Sequence, residues 1–394
     1  MSHDPQRPAH AIETNAVHGP HTEHRGPVST PIVHSATFTF EKLEDMVEQQ
    51  RLDTAGSFYQ RKGHPTIFAA EERLALIEGC EAALLFPSGM AAISTVFLTL
   101  LRTGEHLVCV DPCYGGTQAL LAWGREHFGW EYTLVDARRP DTWEAAFQPN
   151  TRVLHLESPI NPTLAVLDVE AAAAMGKRHG CVVTIDNTIA SPLGQRPLEM
   201  GCDISLYSAT KSIGGHSDLL AGAAMGSWKH LRAAAFTRLV FGPIADPAMA
   251  WMIERSLKTM PLRVRAGNAN AMELATRLTK HPKVAQVFYP GLPSHPTHAL
   301  AVKQMREGFG PLLSFEVTGG AEAALAVVNK LKVIKHGASL GGVESLASLA
   351  AFTSHQILGP EGRARAGIPE GLVRVSAGVE HVEDLWADLV QALG

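Results

Sequence analysis

The chain has 394 residues, of which 45% are hydrophobic and 19% are charged, and its formal net charge is -5. This is the composition of a globular protein with a sizeable core. The small negative net charge does not indicate a nucleic-acid-binding protein, which would be expected to carry excess positive charge. The N-terminus lacks the apolar segment of a signal peptide, and no later run is apolar enough to span a membrane. We therefore expect a cytoplasmic protein that acts on a small polar metabolite.

Cysteine and histidine usage predicts neither a disulfide framework nor a bound metal. His18, His21 and His24 are spaced by three, but their stretch contains Pro and Gly and has no helical periodicity, so it favours a solvated arm. The five cysteines form no C-x-x-C pair and have apolar neighbours, which is typical of reduced, buried thiols. They are Cys80, Cys109, Cys113, Cys181 and Cys202.

From about residue 66, short apolar runs of strand length alternate with helix-like segments. The runs are 82–86, 106–110, 131–135, 152–157, 181–186 and 203–208, with a further candidate at 219–226. Segments such as 89–104 and 169–180 lie between them and predict helices. This alternation predicts an α/β protein in which βαβ units form a mostly parallel seven-stranded sheet.

The C-terminal part of the chain has a different pattern. Residues 227–242 predict one helix, and residues 248–281 predict a second that is long enough to bridge two domains. The remaining elements are predicted strands at 311–317, 331–336 and 371–378, a helix near 321–330, and a closing helix whose apolar face carries Val382, Leu385, Trp386, Leu389, Val390 and Leu393. We divide the chain into an N-terminal arm (1–60), a sheet domain (61–255) and a smaller C-terminal α/β domain (256–394).

Polar segments follow the predicted strands of the sheet domain. Because ligands of an open parallel sheet bind beyond the carboxyl ends of its strands, these segments should converge on one crevice. Ser88, Gly89 and Met90 open a helix there, and the free N–H groups of a helix start favour an anion such as a phosphate. Ser208 and Thr210 add two hydroxyl donors. A Ser-Gly helix start by itself is more often a simple cap.

Three further residues at these strand ends indicate the chemistry. Lys211 lies where a strand gives way to a loop, and its amine can bond covalently to an aldehyde. Asp186 closes the apolar run CVVTID, where a carboxylate needs a cationic partner such as a protonated pyridine nitrogen. Tyr114 can stack on a ring. Each has an ordinary alternative, as surface lysine, helix cap or loop packing, but together they indicate a site for pyridoxal phosphate (PLP).

The motifs resemble the Cys/Met-metabolism, or transsulfuration, family of PLP-dependent enzymes over residues 30–394. The motifs that carry this resemblance are YQRKGHPT (59–66), FPSGMAA (86–92), DPCYGGT (111–117), ESPINPT (157–163), IDNT (185–188), YSATKSIGGHSD (207–218), SLGGVESL (339–346) and LVRVSAGVE (372–380). The resemblance implies a PLP-dependent carbon–sulfur lyase with the aspartate aminotransferase-like fold type I. It also implies a homo-oligomer, expected to be a tetramer built as a dimer of dimers.

The resemblance assigns roles to the matching residues. Lys211 would bind the cofactor covalently and then move the α proton, Asp186 would keep the pyridine nitrogen protonated, and Tyr114 would assist proton transfer to the leaving group. Arg374 would bind the substrate carboxylate as a bidentate fork, with Ser339 and Tyr59 nearby. The cofactor would also be held by Ser88, Gly89, Met90, Tyr114, Asn161, Ser208 and Thr210, and by Tyr59 and Arg61 reaching over from a neighbouring subunit.

Departures from the family pattern bear on the reaction subtype. Gly116 stands where methionine γ-lyases carry a cysteine, which counts against that activity. Leu340 is similar to γ-lyases and γ-synthases, whereas many bacterial cystathionine β-lyases have tryptophan, but Ala338 replaces a glutamate frequent in γ-enzymes. His64 and Ser212 replace an asparagine and a tyrosine. We expect γ-elimination from L-cystathionine, with cystathionine γ-synthase or β-lyase activity as alternatives.

Two other enzyme classes are weaker interpretations of the same sequence. GASLG (337–341) matches G-x-S-x-G, which would make Ser339 the nucleophile of a serine hydrolase. That motif requires a helix directly after the serine, and Gly341-Gly342 predict a loop instead. A NAD-dependent dehydrogenase is disfavoured because no G-x-G-x-x-G follows a predicted strand.

Overall fold

A computed structural model of the protein describes residues 10–19, 27–49, 57–353, 356 and 359–394. Helices and strands alternate around a seven-stranded sheet and a five-stranded sheet, which confirms the predicted α/β class. His21 and His24 of the predicted arm lie outside the described residues. No helix in the described part of the chain has the length and apolarity needed to cross a membrane.

The larger sheet contains all seven of the predicted strands. They are β1 (Ala82–Phe86), β2 (His106–Asp111), β3 (Glu131–Asp136), β4 (Thr151–Glu157), β5 (Val182–Asp186), β6 (Ile204–Tyr207) and β7 (Gly222–Gly226). Their order is β1-β7-β6-β5-β4-β2-β3, and β7 runs antiparallel to both of its neighbours. Strands β1, β6 and β7 are buried along their whole length, as expected for a sheet covered on both faces.

The helices of this part of the chain include those that the sequence predicted between strands. In chain order they are α1 (Ile12–His18), α2 (Leu43–Gln49), α3 (Pro65–Glu78), α4 (Gly89–Leu100), α5 (Gly115–Phe128), α6 (Val169–Arg178), α7 (Ser191–Gly194) and α8 (Trp228–Phe241). Local signals fix their starts. Asp168 caps α6 by accepting the N–H of Ala171 at 3.0 Å. Lys177 and Arg178 lie in its last turn, where positive charges interact favourably with the negative end of the helix dipole.

Helix α1 lies against its own chain. Ala16 is completely buried, and the buried Arg73 of α3 donates to its carbonyl oxygen at 2.5 Å. Arg265 forms an ion pair with Glu13. The part of the predicted arm that forms α1 is therefore anchored to the body of its own chain.

The predicted single helix over 248–281 is wrong, because the structure has two helices there. They are α9 (Pro247–Leu257) and α10 (Met260–Leu278). Thr259 has φ -112° and ψ 0°, outside the helical region. Pro261 explains the break, since it lacks an N–H and its ring would clash with the carbonyl of Leu257 in a continuous helix. The predicted domain boundary between residues 255 and 256 falls inside α9 and stays a prediction.

The smaller sheet comes from the C-terminal part of the chain. Its strands are β8 (Val284–Phe288), β9 (Leu312–Val317), β10 (Lys335–His336), β11 (Leu346–Leu349) and β12 (Leu372–Ser376), in the order β10-β11-β12-β9-β8. The helices are α11 (His298–Gln304), α12 (Gly320–Lys330), α13 (Gly359–Arg365) and α14 (Val382–Leu393). Strands β8 and β11 were not predicted.

The predicted strand over 331–336 is wrong except for its last two residues. Asp388 of α14 accepts the backbone N–H groups of Lys332, Val333 and Ile334 at 2.8, 2.9 and 2.8 Å. A carboxylate therefore binds the donors that a strand would offer to its neighbour. Downstream, Glu380 binds both the N–H and the hydroxyl of Ser345, so the segment between them is held at both ends.

Candidate active site

The polar strand ends converge on a cavity of about 370 Å³ whose wall includes residues of both sheets. The sequence analysis predicted that these polar segments would meet in one crevice. The predicted site residues in its wall are Ser88, Gly89, Met90, Tyr114, Asn161, Asp186, Ser208, Thr210, Lys211 and Arg374. Among the described residues, no group of three or more His, Cys, Asp or Glu side chains is placed to hold a metal ion.

One end of the cavity is formed by the start of α4. The hydroxyl of Ser88 caps this helix by accepting the N–H of Ala91 at 3.1 Å. A Cβ at Gly89 would lie 2.9 Å from the Cβ of Ser208, and a Cβ at Gly222 would lie 2.0 Å from the carbonyl oxygen of Ser88. Glycine is therefore required where these backbones meet, and the first N–H groups of the helix form an anion seat.

A buried carboxylate, Asp186, ends β5 in the cavity wall. Its Oδ1 accepts the hydroxyl of Thr188 at 2.5 Å and the N–H of Thr188 at 3.0 Å. Burial raises the pKa of Asp186, and the Thr188 hydrogen bonds oppose that rise. The N–H of Ser208 donates to the Thr188 hydroxyl at 2.8 Å, so Thr188 ties the carboxylate to the loop before Lys211. Sequence reasoning did not single out Thr188, although it lies in the IDNT motif.

Glu157 is a second buried carboxyl group in the wall that sequence reasoning missed. It ends β4 directly beside Asp186 in the register of the two strands. Burial raises the pKa of Glu157 to about 8, and the Asp186 carboxylate adds to that rise. The available signal was the same as for Asp186, because Glu157 also closes an apolar run, RVLHLE.

Lys211 follows β6 and lines the cavity. Nζ donates to the hydroxyl of Ser339 at 2.9 Å. Burial lowers the pKa of Lys211, and the nearby charge of Arg374 lowers it further. The loop after Lys211 is held by Arg263, which donates to the carbonyl oxygens of Ser212 and Ile213 at 2.9 and 3.2 Å. Both effects disfavour the ammonium form relative to an exposed lysine, which suits an amine that acts as a nucleophile.

Arg374 lies on β12 and presents a buried guanidinium to the cavity. It donates to Oδ1 of Asn161 at 3.2 Å and to the carbonyl oxygen of Ser339 at 3.3 Å. Burial lowers its pKa to about 10, which leaves it charged at neutral pH. Within the described part of the chain it forms no salt bridge with a carboxylate, so its charge is suited to an anionic group of a ligand.

Tyr59 and Arg61 do not line the cavity of their own chain. Arg61 donates to the carbonyl oxygen of Leu239 at 2.9 Å, and its guanidinium carbon lies 5.8 Å from the centre of the Tyr59 ring. The Tyr59 side chain is 42% exposed. Their predicted role in a neighbouring subunit's site stays a prediction.

Two of the departures from the family pattern, His64 and Ser212, lie outside the cavity wall. His64 is fully buried at the N-cap of α3. Ser212 is buried, and its hydroxyl has no hydrogen-bond partner among the described residues. A Cβ at Gly341 would lie 2.5 Å from that hydroxyl. The chain thus leaves little room beside Ser212.

The GASLG segment does not form the turn of a serine hydrolase. The next regular element after Ser339 is the strand β11, which begins at Leu346, and no helix lies in residues 337–345. The hydroxyl of Ser339 instead accepts a hydrogen bond from Lys211. The geometry therefore gives no support to the hydrolase interpretation.

A cavity lysine, a strand-end carboxylate and an anion seat at a helix start are arranged as in PLP-dependent enzymes of fold type I. The family of Cys/Met metabolism PLP-dependent enzymes matches residues 13–394. The chain belongs to this family, and the resemblance inferred from its motifs is confirmed. It is a PLP-dependent carbon–sulfur lyase of the transsulfuration family.

Characterised relatives of different activity are equally similar to the chain. An L-methionine γ-lyase of Fusobacterium nucleatum subsp. polymorphum is 39% identical over 98% of this chain and 98% of the relative. A cystathionine β-lyase of Bacillus subtilis is 39% identical over 97% and 96%. A solved cystathionine γ-lyase from Lactobacillus plantarum, complexed with L-serine, has a TM-score of 0.90 at 37% identity and covers 97% of this chain and 98% of its own.

Proposed function

We propose that the protein catalyses γ-elimination from L-cystathionine, which with one water yields L-cysteine, 2-oxobutanoate and ammonia. The observation that carries the choice of the γ carbon is Leu340, which lines the cavity together with Ala338 and Arg374. Overall sequence identity does not distinguish between the activities, because an L-methionine γ-lyase and a cystathionine β-lyase are both 39% identical to the chain. The choice depends on side chains in the wall.

The residues of the cavity fit the cofactor of the family. The closely packed Gly89 and Gly222 leave the helix start open as a phosphate seat. Asp186 has one carboxylate oxygen bound to Thr188 and lies in the wall where a protonated pyridine nitrogen would satisfy its charge. We therefore assign phosphate contacts to the start of α4 with Ser208 and Thr210, and the pyridine contact to Asp186.

The protein's own groups then bind the substrate and move its protons. When bound, PLP supplies the electron sink that makes the α proton of an amino acid removable. The Lys211 amine, held at 2.9 Å from the Ser339 hydroxyl, takes that proton. Arg374 binds the α-carboxylate. Tyr114 lines the cavity, and we assign to its hydroxyl the protonation of the departing sulfur.

The aliphatic side chains around Ser339 favour cleavage at the γ carbon. Leu340 is smaller than the tryptophan found at this position in many bacterial cystathionine β-lyases. It leaves space for the additional methylene that separates the α carbon from a γ-linked sulfur. One methylene in an apolar pocket changes the relative rate by roughly 10- to 200-fold, so we expect the γ products to dominate by at least about tenfold.

Gly116 argues against a methionine γ-lyase. Methionine γ-lyases carry cysteine at this position. A Cβ at Gly116 would lie 2.5 Å from Cε1 of Tyr114 and 2.7 Å from Sδ of Met90. A cysteine there would have to displace the Tyr114 ring, so the present ring position depends on the glycine.

Product analysis with L-cystathionine tests the proposal. We expect L-cysteine with 2-oxobutanoate, and little homocysteine or pyruvate. The matched variant is Leu340→Trp, which should raise the proportion of pyruvate because it fills the space beside Arg374. Pyruvate and homocysteine as the main wild-type products would show a β-lyase. Turnover only with an O-acylhomoserine plus cysteine would show a γ-synthase, and faster release of methanethiol from L-methionine would show a methionine γ-lyase.

Replacing Arg374 by lysine should separate substrate binding from cofactor binding. We expect Arg374→Lys to raise KM at least about tenfold while the cofactor stays bound, because a point charge cannot replace a bidentate guanidinium. Steady-state kinetics and the visible absorbance of the bound cofactor measure the two effects. An unchanged KM would remove Arg374 from the carboxylate site.

We also propose that the protein is a cytoplasmic homo-oligomer whose sites are completed by a second copy of the chain. The support is that Leu220 lines the cavity while 67% of its surface is exposed, and that Tyr59, Val240 and Phe241 are exposed as well. A second subunit would cover this apolar surface and would bring its Arg61 to the phosphate. The tetramer expected from the family resemblance is part of the same proposal.

A further inference from the structure

Glu157 is a buried carboxyl group in the cavity wall to which the proposed reaction gives no role. Its side chain is 5% exposed. Oε2 accepts the backbone N–H of Tyr114 at 2.6 Å, and Oε1 accepts the backbone N–H of Asn161 at 3.4 Å. The two oxygens of one carboxyl group therefore hold two different loops, one before α5 and one after β4.

Each of these loops carries a side chain of the candidate site. Tyr114 is the N-cap residue of α5, and its ring lines the cavity. Asn161 also lines the cavity, and its Oδ1 accepts a hydrogen bond from Arg374 at 3.2 Å. A displacement of Glu157 would consequently move the Tyr114 ring through one oxygen and the Asn161–Arg374 pair through the other.

We propose that Glu157 is a positioning residue that sets Tyr114 and Asn161 together, and through Asn161 the guanidinium of Arg374. The inference rests on the proposed roles of Tyr114 and Arg374. In this proposal Glu157 links Tyr114, which stacks on the cofactor ring, with Arg374, which binds the substrate carboxylate.

The cost of placing a carboxyl group here supports a role beyond filling space. Glu157 is buried beside a second carboxyl group, Asp186, and these two effects raise its pKa to about 8. A neutral hydroxyl or amide could satisfy a loop N–H without that penalty. Only a carboxyl group offers two acceptor oxygens on one planar fork, which is the requirement set by two converging N–H groups.

The test is the near-isosteric variant Glu157→Gln, since an amide has one acceptor oxygen and one NH2 group. The oxygen should keep the short bond to Tyr114, which leaves the NH2 group facing the N–H of Asn161. We expect KM to rise about tenfold, because a buried donor is left unpaired next to the Asn161–Arg374 pair. The kcat and the visible circular dichroism of bound PLP, which reports the ring environment, should stay near wild type. Glu157→Ala removes both contacts, and it should also lower kcat and weaken the dichroism.

Glu254→Gln is the matched control for loss of a buried carboxyl group. Glu254 is buried on α9, pairs with Arg73 at 2.8 Å and is not in the cavity wall. The Glu254→Gln variant should have a lower melting temperature than the wild type, with KM and the dichroism per bound cofactor unchanged. If Glu157→Gln behaves in the same way, Glu157 is only structural and the proposal is overturned.

The two readouts also separate this inference from the proposed function. The KM comparison uses any substrate that the wild type turns over, and the dichroism needs no substrate. A fall in kcat and in dichroism at unchanged KM would also support the inference, since the amide would then have released Tyr114 and kept Asn161. Failure of the wild type to cleave L-cystathionine would count against the proposed function alone.

Discussion

Lys211→Ala should abolish turnover and the yellow colour of the covalently bound cofactor. Among the described residues that line the cavity, Lys211 is the only lysine, so no other amine there can bond to the cofactor and move the α proton. Borohydride reduction of the wild type followed by peptide mass spectrometry should find the cofactor fixed on Lys211. Retained activity, or a cofactor fixed on another lysine, would contradict the assignment.

The loss should come from chemistry and not from unfolding. Burial and Arg374 lower the pKa of Lys211 in the folded protein. An ammonium group whose pKa is lowered by folding destabilises the native state at pH values below its unfolded pKa, so removing it should not lower stability at neutral pH. The melting temperature of the apo form should therefore stay at or above that of the wild type. Lys303→Ala, which removes a half-exposed lysine paired with Glu170, should keep both colour and activity.

Two inactive variants should restore activity when they are unfolded and reassembled together. The proposed shared site needs Lys211 from one subunit and Arg61 from the other. In a mixed dimer, an Arg61→Ala chain keeps its lysine and receives an intact arm from a Lys211→Ala chain. About half of randomly formed dimers are mixed, and each has one intact site, so we expect roughly a quarter of wild-type activity.

The control pair is Lys211→Ala with Arg374→Ala. Both of these residues line the cavity of one chain, so mixing the two variants cannot rebuild a site and should restore nothing. Arg61→Ala must first be shown to be severely impaired by itself. If mixed dimers with Arg61→Ala form and remain inactive, the phosphate site is not built across the interface.

The sequence was sufficient for the larger sheet and for Lys211 and Asp186 at the ends of its strands, but Glu157 at the end of β4 was missed. Each of its strands is contained in a predicted run or extends it by one residue. Apart from the largely exposed β3, these strands are buried, and buried strands are recognised from continuous apolar runs. Lys211 and Asp186 could be predicted for the same reason. Asp186 closes such a run and Lys211 lies shortly after one, and parallel strands bring their ends to one edge of the sheet.

Elements that depend on distant side chains could not be predicted in the same way. Val333 and Ile334 are β-branched and apolar, as in a strand, but Asp388, more than fifty residues later, accepts the N–H groups of residues 332–334. Strand β8 is partly exposed and contains Gln286, so it has no continuous apolar run. The contact of Glu157 with Tyr114 spans 43 residues of sequence, and no local pattern indicates it.

Two carboxylates bind the chain on either side of segment 335–344, so the side chains within this segment can be replaced without loss of these two contacts. Asp388 holds the backbone before it, and Glu380 holds Ser345 after it. Neither anchor uses the side chains of Ala338 or Leu340, which face the substrate region of the cavity. Substitutions of these two side chains therefore leave both anchors in place, although Leu340 also packs in the core of the C-terminal part. A fold-preserving anchor of this kind would allow closely similar chains to evolve toward different sulfur amino acids by exchanging a few loop residues.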